Sequence, residues 1–148
     1  MNKRLIIFDV DGTLCDITHR LHLIQGDRKD WDKFFIECVK DEPKEDIIAL
    51  VHMLQTFCDI KLFSGRSDAV RKETTDWLKI HLHLEKIDLT MRKEGDHRPD
   101  YLVKQEMYQQ LDDHDKDRLL CVFDDRDQVV RMWRDQDVTC LQVNYGNF

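Results

Sequence analysis

Residues 5–8, Leu-Ile-Ile-Phe, form an apolar run that stops at two acids, Asp9 and Asp11, followed at once by Gly12 and Thr13. A run this short, rich in β-branched side chains and bounded by a glycine turn, reads as a buried strand. Two carboxylates about 5 Å apart at its end repel by about 3 kcal/mol at an effective dielectric near 20. A chain that keeps both must supply a cation. The end of this strand is therefore expected at an open edge, where counter-charges and a ligand can collect.

The rest of the chain alternates. Strands are expected at 4–10, 58–65, 86–91, 118–125 and 138–144. Helices are expected at 44–57, where Ile47, Ile48, Val51, Leu54 and Phe57 follow helical spacing, at 67–83 with Ser67 as N-cap, at 99–111 with Pro99 in the first turn, and at 126–136. Strands separated by helices build βαβ units, hence an α/β fold with a five-stranded, mostly parallel sheet covered on both faces. Residues 17–42 break the alternation and read as a small, cap-like insertion. Within it Trp31, Phe34, Phe35, Cys38 and Val39 have the spacing of one amphipathic helix packed on the body; the alternative, which spacing alone does not support, is that Trp31 or Phe34 stacks on a base.

At 148 residues and 41% hydrophobic content, a single domain spanning 1–148 is expected. No apolar run approaches the roughly 20 residues of a membrane span, and the start, MNKRLIIFDVDG, lacks the long apolar core of a signal peptide. The five cysteines, with no CxxC, suit reduced thiols in a cytoplasmic protein rather than a zinc site. A net charge of −7 argues against strong non-specific nucleic-acid binding but permits a local basic pocket for one phosphate.

In parallel α/β sheets, ligands bind beyond the carboxyl ends of the strands. The first strand ends at Asp9 and Asp11, the second at Ser64, Gly65 and Arg66, the third runs into Arg92 and Lys93, and the fourth ends on Asp124 and Asp125. Any one of these can be a turn or a cap; Lys104, on the expected 99–111 helix, can be a solvated face, and Arg20 a plain surface residue. Four polar ends along one edge are harder to explain so. Asp9, Asp11 and one of Asp124 or Asp125 around one point call for a divalent cation, and a hard-oxygen set with room for water and phosphate suits Mg2+. Arg66, Arg92 and Lys104 would hold an anionic substrate.

FDVDGTL, the strand-end Ser64, Lys104 and the Asp124-Asp125 pair together resemble the haloacid dehalogenase (HAD) superfamily of phosphohydrolases. SGR (64–66), RKEGDHRPDYLVK (92–104) and DDRDQVVRMW (124–133) sharpen the resemblance to the 3′-phosphatase domains of the bacteriophage polynucleotide kinase/phosphatase type, over nearly the whole chain. The resemblance implies a Rossmann-like three-layer α/β/α sandwich. It implies Asp9 as nucleophile, forming an aspartyl-phosphate, and Asp11 as general acid and then base. Mg2+ would be held by the Asp9 carboxylate, the Asp11 carbonyl and the Asp124-Asp125 motif, with Asp125 favoured as the direct ligand. Ser64 and Lys104 would bind phosphoryl oxygens, and Arg20, Arg66, Arg92 and Asp100 would serve substrate binding.

The expected substrate is a 3′-phosphorylated DNA or RNA end or nucleotide, with no membrane partner; oligomeric state is left open. The alternatives are a nucleotidase acting on free mononucleotides or other small esters, a receiver-like phospho-Asp domain and a non-catalytic binding protein. These residues contain no GxxxxGK[ST], so no 5′-kinase activity is expected of them.

Overall fold

The computed structural model describes residues 3–148; Met1 and Asn2, the first residues of the stretch judged not to be a signal peptide, lie outside the described residues. In chain order the elements are β1 (Arg4–Asp9), β2 (Cys15–Asp16), α1 (Thr18–Leu21), α2 (Trp31–Ile36), β3 (Glu42–Pro43), α3 (Glu45–Leu54), β4 (Cys58–Ser67), α4 (Arg71–His81), β5 (Leu89–Arg92), α5 (Asp100–Gln109), α6 (Asp113–Arg118), β6 (Leu119–Asp124), α7 (Asp127–Asp135) and β7 (Cys140–Gln142).

Leu5, Ile6, Ile7 and Phe8 are all buried, as a strand covered on both faces requires. Their side chains alternate. Ile6 and Phe8 join Ile47, Ile48, Val51, Trp77 and Leu78 of α3 and α4 on one face. Leu5 and Ile7 join Val103, Met107, Val129 and Trp133 of α5 and α7 on the other. The sheet order is β5-β4-β1-β6-β7, and every pair is parallel. The result is a three-layer α/β/α sandwich.

The order places the ligand edge. From β1 the chain builds outward to β4 and β5 through α3 and α4. It then returns through α5 to β6 on the other side of β1. The strand order reverses between β4 and β6, so the carboxyl end of β1 is the topological switch point, where such sheets leave a crevice. Asp9 is the last residue of β1.

Residues 17–41 leave and rejoin this body through a short antiparallel ladder, Cys15 opposite Pro43 and Asp16 opposite Glu42. The single helix expected from Trp31 to Val39 is broken. α2 stops at Ile36 and a 3₁₀ turn covers Glu37–Lys40, which buries Phe34 and Cys38 while leaving Val39 exposed. Other boundaries shift. α3 ends at Leu54, so Phe57 projects into solvent at 75% exposure. Ser67 caps a 3₁₀ turn (Asp68–Val70) ahead of α4, accepting from the Ala69 N–H. α6, in a stretch to which the sequence pattern assigns no element, is capped by the Asp112 side chain through the Asp115 N–H at 2.7 Å. No helix of the described residues is long and apolar enough to cross a membrane.

Leu62, at the centre of β4 and fully buried, carries much of this packing. Leu62→Ala is expected to cost about 2–5 kcal/mol, from lost transfer energy and the cavity left behind. Urea denaturation measures it, and a loss under about 1 kcal/mol would mean that the core around β4 collapses easily.

Candidate active site

Phe8 of β1 and Phe123 of β6 are register partners, with rings stacked 4.5 Å apart. The residues that follow them, Asp9 and Asp124, therefore leave the sheet side by side. With Asp125 they form a group whose carboxylate oxygens lie within 4.8 Å of one another. All three are buried.

One ammonium group holds this cluster. Lys104 Nζ donates to Asp9 Oδ1 at 2.6 Å and to Asp124 Oδ2 at 2.8 Å, and lies 3.7 Å from Asp100 Oδ2. Lys104 is 1% exposed, which excludes a solvated face. The second oxygen of Asp9 accepts from Thr13 Oγ1 at 2.9 Å. Asp124 Oδ1 accepts from the backbone N–H groups of Asp125 and Arg126. Asp125 is the carboxylate of the three that neither lysine, threonine nor backbone N–H holds. It sits against Gly12, whose φ is +79°; a Cβ there would fall 2.0 Å from Asp125 Oδ2. Glycine is required both for the backbone angle and for the approach.

Three carboxylates and one ammonium leave the cluster negative. Burial pushes the pKa of Asp9 well up, Asp124 adds to the shift, and Lys104 opposes it. Burial raises Asp124 as well, against Lys104. Burial, then Asp124, pushes Asp125 up to about 7. An all-oxygen site with excess negative charge and one unheld carboxylate fits a hard divalent cation such as Mg2+.

Asp11 belongs to a different environment. Its side chain groups with Cys15 and Asp41 rather than with the three acids. Asp11 Oδ1 accepts from Arg20 Nη2 at 2.7 Å and from Arg66 Nε at 2.8 Å. Both arginines are fully buried and also bind Asp41, at 2.6 Å from Arg20 Nη2 and 2.9 Å from Arg66 Nη2. The Cys15 thiol donates to Asp41 as well, His19 Nε2 lies 2.7 Å from it, and Trp77 Nε1 donates to its carbonyl. Burial alone would raise the pKa of Asp11, but Arg20 and Arg66 outweigh it and hold the carboxyl well below the ordinary range. Its side chain remains 19% exposed.

Arg92 is tied down by carbonyls: Nε donates to Gly65 and Nη1 to Asp96 and Arg98. Asp100 packs against Gly65, where a Cβ would meet Asp100 Oδ1 at 2.0 Å. Ser64 is fully buried and its Oγ accepts from the Arg66 N–H; the β4–β5 register shifts just beyond it.

A cavity of about 40 Å³ opens at this edge. Asp9, Asp11, Arg92, Asp100 and Asp125 line it, whereas Ser64, Lys104, Asp124, Arg20 and Arg66 stand behind that wall. Sequence reasoning missed three residues. Thr13, noted only as following Gly12, bonds Asp9. Arg126 lines the cavity 3.7 Å from Asp100; its place right after the fourth strand end was a usable signal. Asp41 lies in the 17–42 insertion, just beyond the helix expected from Trp31 to Val39, and no local pattern marks it.

Comparison with known proteins is consistent along the chain. The family model described as "Polynucleotide kinase PNKP phosphatase domain" matches residues 3–148. A protein of Autographa californica nuclear polyhedrosis virus described as a bifunctional polynucleotide kinase/RNA ligase is 32% identical over 134 residues, covering 89% of this chain and 18% of that protein. A chain of the Pnkp1/Rnl/Hen1 RNA repair complex superposes with a TM-score of 0.76 at 28% identity, over 99% of this chain and 44% of that one. This chain thus spans under a fifth of the viral relative and under half of the repair-complex chain. A haloacid dehalogenase-like hydrolase from Streptococcus pneumoniae shares the fold, with a TM-score of 0.62 at 14% identity, over 95% of this chain and 84% of that one.

Two outcomes follow from the electrostatics. The raised pKa of Asp125 means that the folded state keeps a proton which the unfolded chain releases near pH 4. Its contribution to stability is present below about pH 4 and is lost as pH rises through about 7. Mg2+ should therefore raise Tm more at about pH 8 than at about pH 5; an equal effect at both would remove Asp125 from the cation site. Asp41→Asn should cost about 3–5 kcal/mol in denaturant unfolding, because two buried guanidinium groups lose their shared counter-charge. A loss under 1 kcal/mol would show that the network does not depend on Asp41.

Proposed function

Because this chain belongs to the family of polynucleotide kinase PNKP phosphatase domains, within the haloacid dehalogenase superfamily, we propose that it removes 3′-phosphate from nucleic-acid ends with Mg2+ as cofactor. The chain is a phosphatase domain by that membership. The observation that carries the finer reading is the separation of two acids only two residues apart: Asp9 in a negative cluster on Lys104, and Asp11 in a balanced clamp on Arg20 and Arg66.

In the first step a carboxylate oxygen of Asp9 attacks phosphorus, and the bond from phosphorus to the 3′-oxygen breaks with its electron pair on that oxygen. Asp11 gives the oxygen a proton. In the second step water attacks phosphorus, Asp11 takes the water's proton, and Asp9 leaves as a carboxylate with release of inorganic phosphate. Asp11 is held ionised, ready for the second step. Donating in the first step requires its arginine pairs to loosen, and the negative charge of an arriving phosphate works in that direction. Asp125, Asp9 and Asp124 would hold Mg2+, with the Asp11 carbonyl beside them; bound there, the ion favours the ionised carboxylates and neutralises charge on the phosphoryl oxygens. Lys104 keeps Asp9 oriented, and Thr13 fixes its other oxygen. Arg92, Asp100 and Arg126 line the approach to the cavity and serve substrate binding, with Ser64 behind them. Residues 17–42 act as a cap-like insertion on a single domain.

The similarity to a chain in a complex named for RNA repair supports a broken RNA strand as one such end. Five buried free thiols support a reducing, cytoplasmic compartment.

Asp9→Asn is expected to abolish turnover while leaving the fold intact, since it removes one of three repelling carboxylates; circular dichroism and steady-state rates measure both. A chelator should remove activity and added Mg2+ restore it. A 3′-phosphorylated oligonucleotide should be hydrolysed in preference to 3′- and 5′-mononucleotides. Turnover of mononucleotides alone would leave a nucleotidase and contradict the end-repair reading.

A further inference from the structure

The small phosphate cavity is not the end of the crevice. Trp31, Phe35, Arg92, Asp100 and Arg126 border it and also border a larger groove of about 640 Å³. That groove runs between α2 and the 93–99 loop. Apart from Arg92, Asp100 and Arg126, its lining has no part in the phosphate chemistry. We infer that this groove receives the single-stranded 3′ end itself, with Trp31 as the stacking platform for the terminal base and Lys29 and Lys93 on the next phosphodiester. The inference rests on the 3′-end reading above and specifies what the site grips besides phosphate.

Trp31 is built as a platform. It is the first residue of α2, and Asp30 caps that helix through the Lys33 N–H at 3.0 Å. Trp31 meets the Phe34 ring edge-on at 5.6 Å and the Phe35 ring at 6.0 Å. Phe34 in turn lies 4.2 Å under the Arg20 guanidinium that binds Asp11. The platform is thus braced against the group that holds the proton-handling acid. A ring held this way loses little freedom when a base stacks on it, and stacking accepts any base, as a repair phosphatase requires.

The charges agree with a phosphodiester chain rather than a broad polyanion surface. Lys29 and Lys93 are exposed and enter no ion pair among the described residues, whereas Arg98 is taken up by Asp96 and Glu106. Asp32 and Glu94 also border the groove, so its net charge is small. Stacking and two local cations then supply the grip. Trp31, Phe34 and Phe35 border a cavity of only about 40 Å³, too small for a base pair, which favours an unpaired end over a duplex one.

The test uses the full chain with Mg2+ and three substrates: a 3′-phosphorylated single-stranded oligothymidylate, the same end in a blunt duplex, and glycerol phosphate, which has no ring. Trp31→Ala is expected to lower the ratio of kcat/KM for the single strand over glycerol phosphate by about 5- to 100-fold, chiefly through KM, and Trp31→Phe to keep most of it. The double variant Lys29→Ala/Lys93→Ala, on the surface and outside the core, should raise KM for the oligonucleotide. It should also flatten the slope of log KM against log salt by about 1.4. The wild type should prefer the single strand to the blunt duplex. An unchanged ratio in Trp31→Ala and Trp31→Phe, an unchanged salt slope in the lysine variant, or equal use of the duplex overturns the inference while the 3′-end reading stands. Asp9-dependent hydrolysis of glycerol phosphate with no turnover of either oligonucleotide overturns the 3′-end reading and the groove with it.

Discussion

The ammonium group of Lys104 is the contact on which the site depends. It joins Asp9, at the end of β1, to Asp124, at the end of β6, from a helix 95 residues beyond Asp9 in the chain. Parallel neighbours in a sheet bring their carboxyl ends together by geometry. When both end on aspartate, burial and mutual repulsion oppose the fold. Lys104 offsets part of that repulsion and is itself kept charged, against its burial, by Asp124 and Asp9. The offset is incomplete: among the described residues no lysine, threonine or backbone N–H donates to the buried Asp125 carboxylate, and the remaining negative charge fits a second, exchangeable cation.

Two carboxylates of one short motif thus fall into opposite fields. Asp9 lies among acids and is pushed up; Asp11 lies among guanidinium groups and is pushed down. Such divergence is what separates catalytic roles within one site. It comes from the partners each side chain meets. Both carboxylates line the same cavity, but Asp9 accepts from Lys104 and Thr13, whereas Asp11 accepts from Arg20 and Arg66. The guanidinium side is balanced internally by Asp41, which lets Arg20 and Arg66 be buried without a net charge in the core.

Much of this was legible in the sequence because the determinants are local. The run Leu5–Phe8 ending on Asp9, the apolar spacing of Ile47, Ile48 and Val51, and the Asp124-Asp125 pair after a buried strand each announce an element and its end. The sheet order is not local, yet alternation and the right-handed crossover rule constrain it closely. What stayed hidden depends on contacts across the chain. Asp41 is set by Arg20 and Arg66, residues remote from it in sequence. Position alone allows a surface reading of Lys104 and Arg20; the family resemblance places both in the site, and their burial excludes the surface reading. The break at Ile36 inside a helical pattern reflects the path needed to bury Phe34 and Cys38 together, a tertiary demand that overrides spacing. α6 was missed because its stability lies in one capping side chain rather than in an apolar face.

The central claim is that Asp9, held by Lys104 and Thr13, is the atom donor that takes the phosphoryl group. Mass spectrometry of protein mixed with Mg2+ and a 3′-phosphorylated oligonucleotide, acid-quenched within one turnover, tests it directly. The account predicts one phosphoryl group on the peptide that contains Asp9, lost on mild alkaline or hydroxylamine treatment. Turnover with no phosphorylated peptide at any quench time, or a phosphoryl group on another residue, would contradict it.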